Sequence, residues 1–404
     1  MSDPTDRVVV VTQQYPPDRS GNASRIRDTC VHLNDEGWDV TVLAPPPAFP
    51  HGQFSRTWKR QSTHTADGVS VHRLWAWQPT ASDPSFSSRM AYYLLFPLHA
   101  LFWMLLHHRE YDAIVTSSPP IFTGLVGLPL GRFGSKPWIV DVRDLWIDAA
   151  VGLDFIADGG LVERASRRYE LLVLDTADRI TVTTAALGDR LVERYDVDRS
   201  VITHVPNGVD TDTYRPTGAD PEPTIVYTGN VGHAQDLDAC VRAMASVETP
   251  DATLQIVGDG DTTEQLRQLA VQQGVDDRVE FTGVLPREAI PDVLNGAMVG
   301  VAPLKSDPSL EYAVPTKAYE YMSCALPVVA TGVGEIESLI EESGGGLLVE
   351  NDADRLAAAF DALLADANRR ERLGANGRAH MIEHYDRSVA ARTVCDILDE
   401  VTGR

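Results

Sequence analysis

Short runs of β-branched residues, each followed by enough chain for a helix, recur from one end of this sequence to the other. Few folds accept that pattern. In the first half the runs fall at 7–12, 38–43, 69–74, 113–116, 138–142 and 179–183; in the second, at 224–227, 253–257, 279–281, 299–302 and 327–330. Their apolar residues are continuous rather than alternating, as in strands buried on both faces, and helical stretches such as 21–36 separate them. That combination predicts parallel sheets covered by helices on both sides. At 404 residues the chain is too long for one ordinary core and suits two such α/β domains. The turn residues His204-Val205-Pro206-Asn207-Gly208 follow a further strand candidate at 200–203 and mark the boundary. The expected domains are 1–204 and 205–387, with an amphipathic helix at 388–404 free to pack back on the first. Parallel sheets bind ligands beyond the carboxyl ends of their strands, and two doubly wound domains predict a central cleft.

Charge narrows the partners. The chain carries 35 basic and 58 acidic residues, a formal net charge of −23, which excludes nucleic acid as the main partner. Only four lysines occur, Lys59, Lys136, Lys305 and Lys317. An acidic, lysine-poor composition fits a halophilic protein, because salt screens the repulsion among carboxylates, the alternative being an acidic protein from a GC-rich genome. The four cysteines are far apart in sequence and form no CxxC, which predicts reduced thiols, a cytoplasmic location and no metal site.

Residues 90–106 break the soluble pattern. They read MAYYLLFPLHALFWMLL, without a charge. The run is shorter than the ~20 residues needed to span a bilayer and has no polar face. Two readings stand: a peripheral membrane contact, or a core helix of the first domain.

Several loops carry candidate chemistry. The loop 13–23 leads from a strand into a helix, where Gly21 would let backbone approach a ligand and free amides would face an anion. It lacks the dinucleotide GxGxxG, which weakens a nicotinamide reading. In the second half, Gly229, Asn230 and Gly232 follow a strand and again suit phosphate, although no Lys or Arg follows before Arg242. Asp259, after the next strand, reads as a helix cap. The segment Pro315-Thr316-Lys317-Ala318-Tyr319-Glu320 reads as a helix start. Its unpaired amides and dipole would hold a diphosphate, and Glu320, on the face of Thr316, would accept two ribose hydroxyls. Asp141, Arg143 and Asp144 end a first-domain strand. Either aspartate would orient an acceptor hydroxyl and Arg143 an acceptor phosphate, the alternative being a loop salt bridge.

The run PTKAYEYMSCALPVVATGVGEIESLI at 315–340 resembles the donor segment of family 4 glycosyltransferases, which have the GT-B fold, and within them the N-acetyl-fucosamine transferase branch. QYPPDRSGNASR, DVRDLW, HVPNGVD, YTGNVGHAQDLD and FTG occur in the family's order across nearly the whole chain. The resemblance implies two Rossmann-like domains, an N-terminal one for acceptor and a C-terminal one for a nucleotide-sugar donor. It implies retaining transfer without a metal or other cofactor. It assigns Glu320 to the ribose and Thr316 and Lys317 to the diphosphate. Gly229 to Gly232 would face phosphates or sugar, Val284 and Leu285 the base, and Gly21 the donor from the first domain. The family's first glutamate would stand at Tyr312, with Glu311 one position off, and its basic pair is missing, which leaves Lys305 or Lys317 to supply positive charge. Together with 90–106, this reading predicts a lipid-linked polyprenyl or dolichyl phosphate acceptor at the inner face of the cell membrane. The rivals are a nucleotide-sugar epimerase or hydrolase, and a membrane-associated protein that binds nucleotide sugar without turnover.

Overall fold

Val8, Val9, Val10 and Val11 are all buried, so both faces of the sheet they enter are covered. The computed structural model describes residues 6–134, 136–152, 156–307 and 310–404. The chain divides into two units, Met1–Pro206 with Ser388–Arg404, and Asn207–Arg387.

The first unit contains β1 (Arg7–Val11), α1 (Gly21–Asp35), β2 (Asp39–Ala44), β3 (Gln61–Ala66), β4 (Val69–Leu74), α2 (Phe86–His107) and β5 (Ala113–Ser118). Then come α3 (Gly124–Gly134), β6 (Trp138–Val142), α4 (Trp146–Gly152), α5 (Leu161–Thr176), β7 (Arg179–Val182), α6 (Ala185–Tyr195) and β8 (Ile202–His204). The sheet order is β3-β4-β2-β1-β5-β6-β7-β8. All neighbours are parallel except the edge pair β3–β4.

Strand β3 was not visible in the sequence because it is an edge of polar, solvent-facing residues, QSTHTA. The strand expected at 200–203 begins later. The Asp198 carboxylate accepts the Ser200 amide and winds Arg199–Val201 into a 3-10 turn, so β8 starts at Ile202.

The second unit runs β9 (Glu222–Thr228), α7 (Leu237–Ala243), β10 (Thr253–Val257), α8 (Thr263–Gln273), β11 (Val279–Gly283), α9 (Ile290–Asn295) and β12 (Ala297–Ala302). It continues with α10 (Thr316–Ser323), β13 (Val328–Ala330), α11 (Glu335–Ser343), β14 (Gly346–Leu348), α12 (Ala353–Ala365) and α13 (Ala367–His380). Its six strands are parallel in the order β11-β10-β9-β12-β13-β14, which delivers every strand-to-helix loop to one edge of the sheet. Helix α14 (Arg387–Thr402) then returns to the first unit. Its Ala390, Val394, Cys395, Ile397 and Leu398 complete the core that contains Val8, Val10, Ile26 and Leu33.

Helix α2 fits neither simple reading of 90–106. It has 22 residues, and Tyr92, Phe96, Ala100, Trp103 and Met104 are buried in the first unit. Leu98, Phe102, Leu105 and Leu106, equally apolar, are exposed by 42, 66, 44 and 80%.

A buried ion pair ties α1 to the sheet and corrects one expectation. Asp141, at 5% exposure, takes a two-pronged contact from Arg25 of α1, at 2.8 and 3.1 Å. It also accepts the hydroxyls of Ser117 and Thr181. With these donors on its oxygens it has no place for an acceptor hydroxyl, so Asp141 is structural rather than catalytic. Burial opposes its charge, but Arg25, Arg143 and Thr181 outweigh burial and hold the carboxyl below its ordinary range. Arg143 is likewise engaged, with Ser117 at 3.2 Å, the Pro119 carbonyl at 3.5 Å and Asp141 at 3.7 Å. Arg25→Leu would strand a buried carboxylate and should destabilise the protein by about 3–5 kcal/mol. Urea unfolding would show this as a lowered midpoint; an unchanged midpoint would refute the structural role.

Candidate functional site

Strands β9, β10 and β11 end side by side, and the loops beyond them crowd together. Gly229 and Gly258 have φ of +124° and +139°. The Gly229 amide donates to the Val257 carbonyl, and the Gly258 amide to that of Gly283. A Cβ on Gly258 would overlap the Gly229 carbonyl oxygen, and one on Gly260 the Val231 carbonyl oxygen. Glycine at these two positions therefore sets the distance between neighbouring loops. Asp259 stabilises the turn rather than capping the helix. It accepts the Gly260 amide and the Thr263 hydroxyl, while Thr262 occupies the cap position of α8.

Helix α10 starts at Thr316, with Pro315 as its cap residue in extended conformation. The Ala318 amide bonds back to Pro315, and Thr316 is exposed at the helix tip. First-turn amides have no partner within a helix and, with the dipole, favour an anion. Lys317, the next residue, turns toward β9. Its Nζ donates to the Tyr227 hydroxyl at 3.1 Å and lies 4.3 Å from the centre of that ring. Gly229 lies against it, since a Cβ there would make an ordinary contact with Lys317 Cε at 3.4 Å. The cation absent from the sequence neighbourhood of Gly229 is thus brought by another helix.

Glu320, one turn on, is half-buried. The Tyr214 hydroxyl donates to its carboxylate, and Arg287 acts on both. Burial pushes the Glu320 carboxyl up, and Arg287, Tyr214, Arg387 and Lys317 pull it only part of the way back. Burial also pushes the Lys317 ammonium down to about 8, against the opposite pull of Glu320.

The other expected residues spread around this centre. The Lys305 amide donates to the Ala234 carbonyl, which brings its loop beside 232–235. Asn230 and Gly232 touch, since a Cβ on Gly232 would meet the Asn230 amide nitrogen at 2.6 Å. Beyond β11, Val284 is 77% exposed and Leu285 packs on the core. The Glu311 carbonyl accepts the Glu335 amide at the start of α11. Gly21 and Asp144 belong to the first unit. A Cβ on Gly21 would meet nothing within 4 Å, so no neighbouring group there requires glycine. Sequence reasoning missed Tyr214, Tyr227 and Arg287. Tyr227 ends an apolar strand and reads as core, while Tyr214 and Arg287 are far from Glu320 along the chain.

Residues 20–208 match the family model described as glycosyl transferase 4-like domain, and residues 222–366 the one described as glycosyl transferases group 1. Sucrose-phosphate synthase of Thermosynechococcus elongatus superposes with a TM-score of 0.76 at 19% identity, over 98% of this chain and 99% of that one. The chain has the GT-B fold, and each of its units resembles a glycosyltransferase domain. Anabaena HepE, solved with UDP, superposes with a TM-score of 0.70 at 16% identity, over 98% of this chain and all of its own. Among curated relatives, D-inositol 3-phosphate glycosyltransferase of Nocardia farcinica is 31% identical over 57% of this chain. The matched stretch spans 55% of that relative's length. Alpha-maltose-1-phosphate synthase of Mycolicibacterium smegmatis is 26% identical over 72% of this chain and 80% of its own.

A nucleoside diphosphate beside Lys317 would raise its pKa again, so binding would take up a proton above pH 8. Affinity for the nucleotide should be flat below pH 8, where the free ammonium is already charged, and fall as pH rises further. Calorimetry of nucleoside diphosphate binding across pH 7–9.5 would show it, and Lys317→Gln should abolish the slope. A slope that survives in that variant would remove Lys317 from the site.

Proposed function

We propose that this chain transfers a sugar, with retention of anomeric configuration, from a nucleotide-sugar donor held by the second unit to a lipid-linked acceptor held by the first. The carrying observation is the start of α10, where open amides, the Lys317 ammonium against Gly229, and Glu320 one turn on occur together. Amides and ammonium would stabilise the negative charge that develops on the departing nucleoside diphosphate, without a metal being called on. Glu320, oriented by Tyr214, would accept the ribose hydroxyls. Thr316 would border the diphosphate from the helix tip. Gly229, Asn230 and Gly232 would face phosphate or sugar, and Val284 and Leu285 the base, with Lys305 as a second cation.

On the first unit, Gly21 would approach the donor and Asp144 remains the candidate for the acceptor hydroxyl. The names of the relatives carry a phosphorylated polyol and a phosphorylated sugar, which supports an acceptor that bears phosphate. A polyprenyl or dolichyl phosphate glycan at the inner membrane face fits that chemistry, with peripheral contact through 90–106. Assignment to family 4, and within it to the N-acetyl-fucosamine transferase branch, rests on the donor segment 315–340. The acidic, lysine-poor composition supports a halophilic cytoplasm.

The test is to incubate the protein with a panel of nucleotide sugars and a lipid-phosphate extract. Released nucleotide together with a lengthened glycolipid is the expected result. Nucleotide released equally with and without extract would make the protein a hydrolase. Glu320→Ala should weaken donor binding by roughly tenfold or more, because a charged hydrogen-bond acceptor is lost. Unchanged donor affinity would remove Glu320 from the ribose.

A further inference from the structure

The exposed apolar residues of α2 form a stripe. Leu98, Phe102, Leu105 and Leu106 stand at spacings of four, three and one, on one face opposite the buried one. In a helix of 22 residues that stripe lies along a surface rather than at a point. Arg109, exposed, follows it by one turn.

A second exposed group meets the other end of the helix. Trp58 is 69% exposed and stacks on Trp75, with centroids 6.3 Å apart and planes at 23°. The Arg56 guanidinium sits 3.9 Å from the Trp77 ring, and Lys59 and Arg60 are exposed beside it. Trp77 fixes this cluster to α2, since its Nε1 donates to Ser88 Oγ in the first turn of the helix. Cations thus bracket the apolar stripe, with tryptophan at one end.

Charge indicates what covers it. The chain has 58 acidic residues, yet none falls within 54–66 or 84–109. The exposed residues of 56–60 and 98–109 make up this surface, which holds one of only four lysines; Asp83 and Glu110 stand at its margins, Asp83 paired with Arg89 and Glu110 with Arg7. A second copy of the chain docked face to face would set cations against cations. An anionic lipid leaflet complements both features, since acyl chains take the stripe, headgroups pair with Arg and Lys, and Trp prefers the boundary between them.

We propose that the α2 stripe and the Arg56–Arg60 segment form one docking surface for an anionic phospholipid leaflet, with α2 lying in the plane of the membrane. This rests on the peripheral contact proposed above and adds a second anchor outside 90–106 and a lipid class. Long-range attraction to the leaflet fades within about 3 Å in molar salt, so there the stripe carries the binding and the cations act only in direct contact.

The experiment is co-sedimentation of the full chain with vesicles of phosphatidylcholine alone, or with phosphatidylglycerol added, in about 0.15 M salt. The protein should prefer the phosphatidylglycerol vesicles. Lys59→Gln with Arg60→Gln should lose roughly twenty-five-fold on them, at about fivefold per cation, and change little on phosphatidylcholine. Phe102→Ser with Leu106→Ser, both at exposed positions, should weaken binding to both vesicles. Equal binding of the wild type to both vesicles, or an unaffected Lys59/Arg60 variant, would overturn the anionic anchor and leave the simpler contact through 90–106 standing. No binding to either vesicle would overturn both. If sedimentation velocity showed a dimer that the Phe102/Leu106 variant dissolves, the surface would be an interface between copies and the lipid assignment would fall.

Discussion

The approach of Gly258 to the Gly229 carbonyl is the constraint on which the second unit's chemistry depends. With both glycines at positive φ, the loops after β9 and β10 lie closer than side-chain-bearing residues would allow. Lys317 lies against Gly229, at contact distance from where a side chain would start. The ammonium therefore rests on strand-end backbone and on the Tyr227 ring, not on a flexible surface stem. A parallel sheet supplies this geometry at little cost, because its strands all end on one side. A side chain on Gly258 would collide with the Gly229 carbonyl and push the two loops apart.

The strands were readable because burial on both faces makes their sequences continuously apolar, as at Val8–Val11 and Val328–Ala330. Where burial is absent the signal disappears, and β3 went unseen for that reason, whereas β14 went unseen because it is only three residues long and follows two further glycines. The start of α10 was legible because caps and glycines act within a few residues. The partners of its side chains were not. Lys317 meets Tyr227 across 90 positions, and Arg25 meets Asp141 across 116. Asp141 looked catalytic from its place at a strand end. Only its oxygens, occupied by Arg25, Ser117 and Thr181, show that it holds the unit together.

The chain also places its few lysines unevenly. Lys317 and Lys305 adjoin the loop 228–235 of the second unit, and Lys59 adjoins the exposed tryptophan of the first. Elsewhere arginine serves in fixed, multi-bonded roles, as Arg25, Arg73 and Arg278 do. A forked guanidinium suits permanent scaffolding, whereas an ammonium is a compact charge whose protonation burial can tune.

Helix α14 fills a gap in the core built around β1, although nearly four hundred residues separate them. During synthesis, Val8 and Val10 leave the ribosome well before the α14 side chains that cover them. The amino-terminal unit must therefore wait, with part of its interior open, while the other unit is made and can close first. The step that closes the first unit is the docking of one amphipathic helix made only after the whole second unit.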